Sequence, residues 1–149
     1  MSKLLGVAEI TISYKPSKNE KPVISKSVDA FNIFKPFFSE DSISLQEQFA
    51  VMYLNRANKV LGVHVHSKGG ITCTVADPRL ILSTALLTAS TSIILCHNHP
   101  SGNLKPSKAD EEITQKIKEA GKFLDIKVLD HLIISEEESY YSFAEEGLI

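Results

Sequence analysis

A segment of sixteen residues, 95–110 (LCHNHPSGNLKPSKAD), contains the side chains best suited to bind a metal ion. His97 and His99 end an apolar run, and side chains two apart on a strand face the same side, so the two imidazoles can converge. Asp110 follows after a turn and can return a carboxylate to them. Two nitrogens and one oxygen with a fourth position open are typical of a catalytic zinc site, whereas structural sites are closed. The segment therefore predicts Zn²⁺ bound by His97, His99 and Asp110.

The elements that must position these ligands are a strand, a tight loop and the start of a helix. SIILCHN is apolar nearly throughout and predicts a buried strand. Prolines and a glycine in residues 100–106 indicate a turning loop, and Ser107 fits a helix N-cap with Asp110 on the first turn. Ser107-x-x-Asp110 also resembles a capping box, which needs no metal. The joint spacing of all four residues favours the metal site.

Two other groups compete as ligands. His64 and His66 form a second His-x-His on one strand face, but no Ser-x-x-Asp follows at loop range. We expect this pair to face solvent. Cys96 neighbours His97 and should point to the opposite face of the strand, which argues against it as a ligand.

Glu47 lies just ahead of an apolar run, Phe49 to Leu54, that predicts a buried strand. Ser44-x-x-Glu47 fits a capping box, in which the carboxylate would only cap a helix. The alternative is a catalytic role, because a metal hydrolase needs a proton acceptor near the attacking water. The residues themselves leave both interpretations open.

The four motif residues resemble those of a known family. His97, His99, Ser107 and Asp110 match the JAMM (MPN+) zinc metallohydrolase motif, His-x-His-x7-Ser-x2-Asp, and HNHPSG is similar to the RadC-like branch of bacterial JAB-domain proteins. A looser similarity extends from about residue 27 to 149. RadC proteins usually carry an N-terminal helix-hairpin-helix region, and we expect this chain to be a short, stand-alone form without it.

The resemblance implies a fold and a set of roles. The fold would be α/β, with the mixed sheet and packed helices of the JAB/MPN, cytidine-deaminase-like architecture. Glu47 would be the general base, in preference to Glu40, and Ser107 would stabilise the oxyanion. Asp130 and His131 recur in the RadC-like pattern and are candidates for supporting the ligands. The implied reaction is zinc-dependent hydrolysis of a peptide, isopeptide or other amide bond.

The pattern of elements divides the chain into an N-terminal extension, 1–26, and a domain, 27–149. Within the extension, LLGVAEITISY (4–14) alternates loosely and predicts a strand. Helical spacing predicts a helix from Ser27 that ends at Pro36. Asp77 and Pro78 predict the start of a helix that should be largely buried, because little polar face remains. ITCTV (71–75), KVLDHLIIS and YYSF are the remaining predicted strands.

Composition bounds the function classes. The chain has 149 residues, 43% hydrophobic, 23% charged, and a net charge of −2, as in an ordinary globular domain. No apolar run or leader suggests a membrane or secretion, so we expect the cytoplasm. The resemblance implies a peptide or protein substrate. A Ser-His-Asp hydrolase is disfavoured, since no G-x-S-x-G is present.

Other interpretations remain open. One, which the resemblance to the RadC family suggests, is a DNA-associated protein of the DNA-repair or mobile-element type. The chain is slightly acidic, and a local basic patch would have to be formed by Lys105, Lys108, Lys116 and Lys118. Another is a non-catalytic interaction module, although such modules typically lose metal ligands. A homodimer is also compatible with the sequence.

Overall fold

The computed structural model describes residues 6–69 and 76–149. Three helices and five strands form the framework, with a short 3₁₀ turn, Lys35–Phe37, after the first helix. In chain order they are α1 (Ser27–Phe34), β1 (Gln48–Leu54), β2 (Val60–Lys68), α2 (Pro78–Leu87), β3 (Ser92–Asn98), α3 (Lys108–Lys122), β4 (Lys127–Ile134) and β5 (Tyr140–Ser142).

The strands form one mixed sheet in the order β2-β1-β3-β4-β5. Only β3 and β4 are parallel, and the other described neighbours are antiparallel. The pairing of β1 with β3 sets Phe49 opposite His97, so the beginning of β1 meets the end of β3. The fold is α/β with helices packed on a mixed sheet, as the sequence predicted.

Alternate residues of the central strands fill two separate cores. Ala50, Met52 and Leu54 of β1 pack on the side of α1, whereas Phe49, Val51 and Tyr53 pack on the side of α2 and α3. All seven β1 residues are buried. Cys96 lies in the α1-side core, away from His97, as strand alternation predicts.

Two predicted elements differ from the structure. Residues 6–14 form no strand, and Val7, Ile10 and Ile12 are exposed, because alternation alone does not supply a neighbouring strand. Helix α2 is not largely buried. Ile81, Leu82 and Ala85 face the core, whereas leucines on its other face are exposed: Leu80, Leu86 and Leu87. The strand expected at 71–75 lies outside the described residues.

Two residues of the predicted N-terminal extension, 1–26, contact the domain. Val23 forms an isolated bridge with Lys59, and Ile24 is buried in the α1-side core. The remainder of the predicted helix-and-strand pattern is confirmed, including the end of α1 at the proline-containing turn and the cap of α2, where the Asp77 side chain accepts from Arg79 N–H. The division at residue 26 stays a prediction.

The carboxylate of Asp130 joins three parts of the fold. Oδ2 accepts hydrogen bonds from the hydroxyls of Ser27 and Ser142, both at 2.7 Å. Oδ1 accepts from the backbone N–H of His131 at 2.7 Å and of Ala144 at 3.0 Å. Asp130, His131 and Ser142 are buried, so the His131 N–H and the Ser142 hydroxyl have no water as a substitute partner. Asp130 therefore ties α1 and β5 to β4.

Replacing Asp130 by Ala should lower the free energy of unfolding by about 3 kcal/mol, because buried donors lose their acceptor. Urea denaturation measures the change. Asp41→Ala, at an exposed turn, is the control and should stay within about 0.5 kcal/mol of wild type. Similar losses in the two variants would contradict this role.

Candidate metal centre

Strand β3 and the residue after it orient the two imidazoles. His97 is buried on the α3 side of the sheet, and its ring stacks on Phe49 with centroids 6.0 Å apart. The His99 N–H donates to the Ile134 carbonyl at 2.9 Å, which continues the β3–β4 pairing by one residue. Because His99 keeps the strand path, its side chain falls on the same side as that of His97.

The start of helix α3 orients the carboxylate. Ser107 is the N-cap, and its hydroxyl oxygen accepts from the Asp110 N–H at 3.1 Å. Asp110 Oδ2 in return accepts from the Ser107 N–H at 2.8 Å, so the capping box is present. The cap holds the carboxylate pointing back towards the histidines. The two sequence interpretations of Ser107 and Asp110 are therefore compatible.

Three side chains converge on one point. His97 Nε2 lies 2.9 Å from His99 Nε2 and 3.2 Å from Asp110 Oδ1, and His99 Nε2 lies 3.1 Å from Asp110 Oδ2. Ligand atoms around a tetrahedral zinc lie about 3.3 Å apart, given Zn–N bonds of about 2.0–2.1 Å. The donor set therefore fits a small divalent cation. Across residues 6–69 and 76–149 it is the one cluster of three such ligands.

A chain of hydrogen bonds fixes which nitrogen of His97 is unprotonated. The Thr114 hydroxyl donates to the Asp110 carbonyl at 2.6 Å, so it accepts from His131 Nδ1–H, also at 2.6 Å. His131 Nε2 is then an acceptor and takes the Nδ1–H of His97 at 2.7 Å. The lone pair of His97 is left on Nε2, the atom that faces His99 and Asp110.

His99, like His97, carries its proton on Nδ1, and a single hydrogen bond is sufficient to place it there. Its Nδ1–H donates to the Asn103 carbonyl at 2.6 Å, so its lone pair is also on Nε2. Imidazoles that bind metals characteristically donate their other N–H to a fixed acceptor, which orients the ring. Both rings are therefore set with their lone pairs facing Asp110.

When an Nε2 atom binds a proton, the imidazolium donates to Asp110, and the pKa shifts report this protonated state. Burial raises the pKa of the Asp110 carboxyl, but hydrogen bonds from His97 and His99 outweigh it and hold that pKa well below its usual range. Burial lowers the pKa of His99, whereas its hydrogen bonds to Asp110 and Asn103 raise it, and the net shift is upward. Burial holds the pKa of His131 well below its usual range, so His131 is neutral and can accept the His97 proton.

Glu47 shares a cavity with the cluster. It lies directly before β1 and lines a cavity of about 250 Å³ together with His97 and Asp110, and the Phe49 and Ile113 side chains form apolar walls. The alternative that Glu47 caps a helix is wrong, because residues 41–45 form a turn and β1 begins at residue 48. The carboxylate therefore lies where a proton acceptor for the cavity would be needed.

Comparison with known proteins agrees with the motif. The model of the RadC-like JAB domain matches residues 24–148. The chain belongs to the RadC-like JAB domain family. It is similar to UPF0758 proteins of Flavobacterium johnsoniae (51% identity, 84% of this chain, 53% of the relative), Porphyromonas gingivalis (36%, 96%, 63%) and Chlorobium chlorochromatii (36%, 98%, 64%). The chain thus spans between half and two-thirds of these relatives.

The two candidates for supporting residues in this RadC-like JAB domain lie in different places. His131 contacts His97 directly, whereas the hydrogen bonds of Asp130 go to Ser27, Ser142 and backbone N–H groups on the other side of β4. The sequence motif did not include Thr114, whose hydroxyl determines which nitrogens of His131 and His97 carry a proton. Its position four residues after Asp110, on the inner face of α3, was the available signal.

The second histidine pair is not a solvent-facing pair, contrary to expectation. His64 is exposed, but His66 is half-buried and its Nε2 lies 2.6 Å from the Tyr53 hydroxyl. That hydroxyl donates to the Ile81 carbonyl at 3.0 Å, so His66 is the donor to it. Burial, with a smaller effect of His64, lowers the pKa of His66 to about 4. The Tyr53 hydroxyl of β1 thus links His66 of β2 to Ile81 of α2.

Removing the support of His97 should weaken metal binding without unfolding the domain. Thr114→Val keeps the shape of the side chain but removes the hydroxyl. The choice of protonated nitrogen in His131, and therefore in His97, is then no longer fixed. Affinity for Zn²⁺ should fall about 10- to 100-fold, the usual effect of losing such a partner. Competition with a chromogenic chelator measures it, and His97→Ala should abolish binding.

The control is Thr88→Val, which removes a comparable hydroxyl hydrogen bond at the end of α2. Equal zinc affinity in Thr114→Val and Thr88→Val would show that the hydrogen-bond chain does not set the affinity.

Proposed function

We propose that this chain is a metal-dependent hydrolase of the JAMM type that cleaves amide bonds, either peptide or isopeptide. One observation carries the proposal: His97, His99 and Asp110 converge with lone pairs facing one another, and Glu47 lies in the same cavity. Membership of the RadC-like JAB domain family supports it.

The three converging side chains would hold the cation, and Zn²⁺ is the proposed ion because it suits two imidazoles and one carboxylate. A bound divalent cation would act as a Lewis acid and lower the pKa of a coordinated water to about 7. The protein contributes the preset orientation of the rings and of the carboxylate. That orientation leaves the cavity side for water and substrate.

Glu47 is proposed as the general base and then the general acid. A carboxylate in the cavity can accept the proton of the attacking water and deliver it to the leaving nitrogen, whose expulsion requires a proton. The apolar walls of Phe49 and Ile113 limit the water around it and strengthen its electrostatic interactions.

Ser107 is proposed as the oxyanion donor. Its oxygen accepts from the Asp110 N–H as the N-cap, which leaves the hydroxyl proton free to donate to a developing oxyanion. The side chain is exposed, so a substrate carbonyl can approach it.

The proposed substrate class is a peptide or isopeptide bond between two protein segments. Within residues 6–69 and 76–149, no helix combines the length and the apolar character of a membrane span. The cytoplasmic location, the association with DNA and the homodimer stay predictions.

Glu47→Gln should retain the metal and lose turnover, because the amide keeps the size of the side chain but cannot accept the proton. We expect kcat to fall about 10²- to 10⁴-fold. Elemental analysis measures the metal, and a library of fluorogenic peptides and isopeptide-linked peptides measures turnover.

The matched control is Glu40→Gln, since Glu40 is the neighbouring carboxylate outside this cavity. It should keep both metal and turnover. Unchanged hydrolysis by Glu47→Gln would contradict the assignment of the base, and a wild-type protein that binds no metal would contradict the proposed function.

Ser107→Ala should lower both stability and rate, because one hydroxyl serves two purposes. Loss of the N-cap should cost about 1 kcal/mol in urea unfolding, and loss of the oxyanion donor should lower kcat about 10²- to 10³-fold. Ser107→Thr retains the hydroxyl and should restore most of both. A stability loss with unchanged kcat would leave Ser107 as a cap alone.

A further inference from the structure

The residue between the two histidines, Asn98, faces away from the metal cluster. It is the last residue of β3 and is fully buried, with a relative exposure of 0%. Successive strand residues point to opposite faces, so its side chain lies on the side opposite His97. Asn98 therefore cannot bind an ion held by His97 and His99. In the His-x-His motif its position is unspecified, so the motif gives no reason for an asparagine there.

The Asn98 amide is fully used by the segment that carries Glu47. Nδ2 donates to the carbonyl oxygens of Ile43 at 2.7 Å and Gln46 at 2.9 Å. Oδ1 accepts from the Gln48 N–H at 2.7 Å. The backbone groups directly before and directly after Glu47 are thus held by one side chain.

The other side of this segment is held by the end of β2. The Gly69 N–H donates to the Glu47 carbonyl at 2.8 Å, and Gln46 Nε2 donates to the Gly69 carbonyl at 2.7 Å. Beyond the last backbone pair, Phe49 with His97, Asn98 supplies the side-chain connection of this segment to β3. The distance between the base and the ligands depends on this connection.

Only an amide satisfies all three contacts. An aspartate at this position would set a carboxylate oxygen against the Ile43 and Gln46 carbonyls, because it has no hydrogens to donate. An alanine would leave two acceptors and one donor without partners in a buried place. The chemistry of the site thus requires both donors and the acceptor of asparagine.

We propose that Asn98 is a positioning residue that fixes Glu47 relative to the metal ligands. This inference rests on the proposed function, in which Glu47 transfers the proton. A displacement of about 1 Å in a reacting group can lower a rate about 100-fold. Asn98 therefore acts on the reaction through Glu47 and not through the ion.

The test compares Asn98→Ala and Asn98→Asp with wild type. The aspartate keeps the volume and the acceptor for Gln48 N–H but sets a carboxylate against two carbonyls. The alanine buries no charge, so it serves if the aspartate variant fails to fold. Ile93→Val is the control, because it trims a buried side chain at the opposite end of the same strand and lies far from Glu47.

Three measurements separate positioning from stability. Elemental analysis should give an unchanged metal content in both Asn98 variants. Hydrogen–deuterium exchange on the metal-free protein should be faster by about tenfold or more in residues 43–48 and unchanged in α3. With a peptide from the fluorogenic library, kcat should fall about 100-fold with little change in KM.

The pH profile gives a further readout that a structural role does not move. The acidic limb of kcat reports the joint ionisation of the attacking water and of the base that accepts its proton, so it should shift in the Asn98 variants and not in Ile93→Val. Unchanged exchange in residues 43–48, or wild-type kcat in Asn98→Asp, would overturn the inference. Absence of any hydrolysis by wild type would instead refute the proposed function, and the exchange experiment would still decide whether Asn98 holds this segment.

Discussion

The antiparallel pairing of β1 with β3 is the constraint on which the site depends. It sets Phe49 opposite His97 and so brings the beginning of one strand to the end of the other. Glu47 precedes β1 and His99 follows β3, so the pairing brings an acid and two imidazoles together from residues fifty positions apart in sequence. The parallel neighbour β4 then places His131 behind His97.

Buried polar groups determine the orientation of the side chains in this site. Apolar packing fills the two cores but does not specify the direction of a lone pair. The direction is set by hydrogen bonds in which each group has one available role: Thr114 donates to a carbonyl, His131 donates to Thr114, and His97 donates to His131. In the described residues no buried side-chain nitrogen or oxygen lacks a partner, so this polar framework is complete.

Much of this could be predicted from local sequence. The spacing of His97, His99 and Asp110 predicted their convergence, because strand alternation and a helix cap are short-range rules. The central strands and the caps of α2 and α3 followed from the same rules. The catalytic interpretation of Glu47 depended on the family resemblance, because an acidic residue before an apolar run fits a helix cap equally well.

The rest depended on tertiary contacts that no short-range rule contains. The exposed face of α2 and the absence of a strand at residues 6–14 both reflect which neighbours the fold supplies. The bonds of Asn98 reach residues about fifty positions away, and those of Thr114 to His131 cross from α3 to β4. The contact of His66 with Tyr53 likewise required the pairing of β1 with β2.

The capping box of α3 has a further thermodynamic consequence. Because Asp110 accepts the Ser107 N–H, its carboxylate is ordered as part of folding, and a cation would not have to order it on binding. An ion that enters such a site loses little affinity to the ordering of its ligands, because the chain has already lost that conformational entropy. By linkage, a bound ion would stabilise the native state by RT ln(1 + [M]/Kd), and the first turn of α3, which carries Asp110, would be protected against fraying.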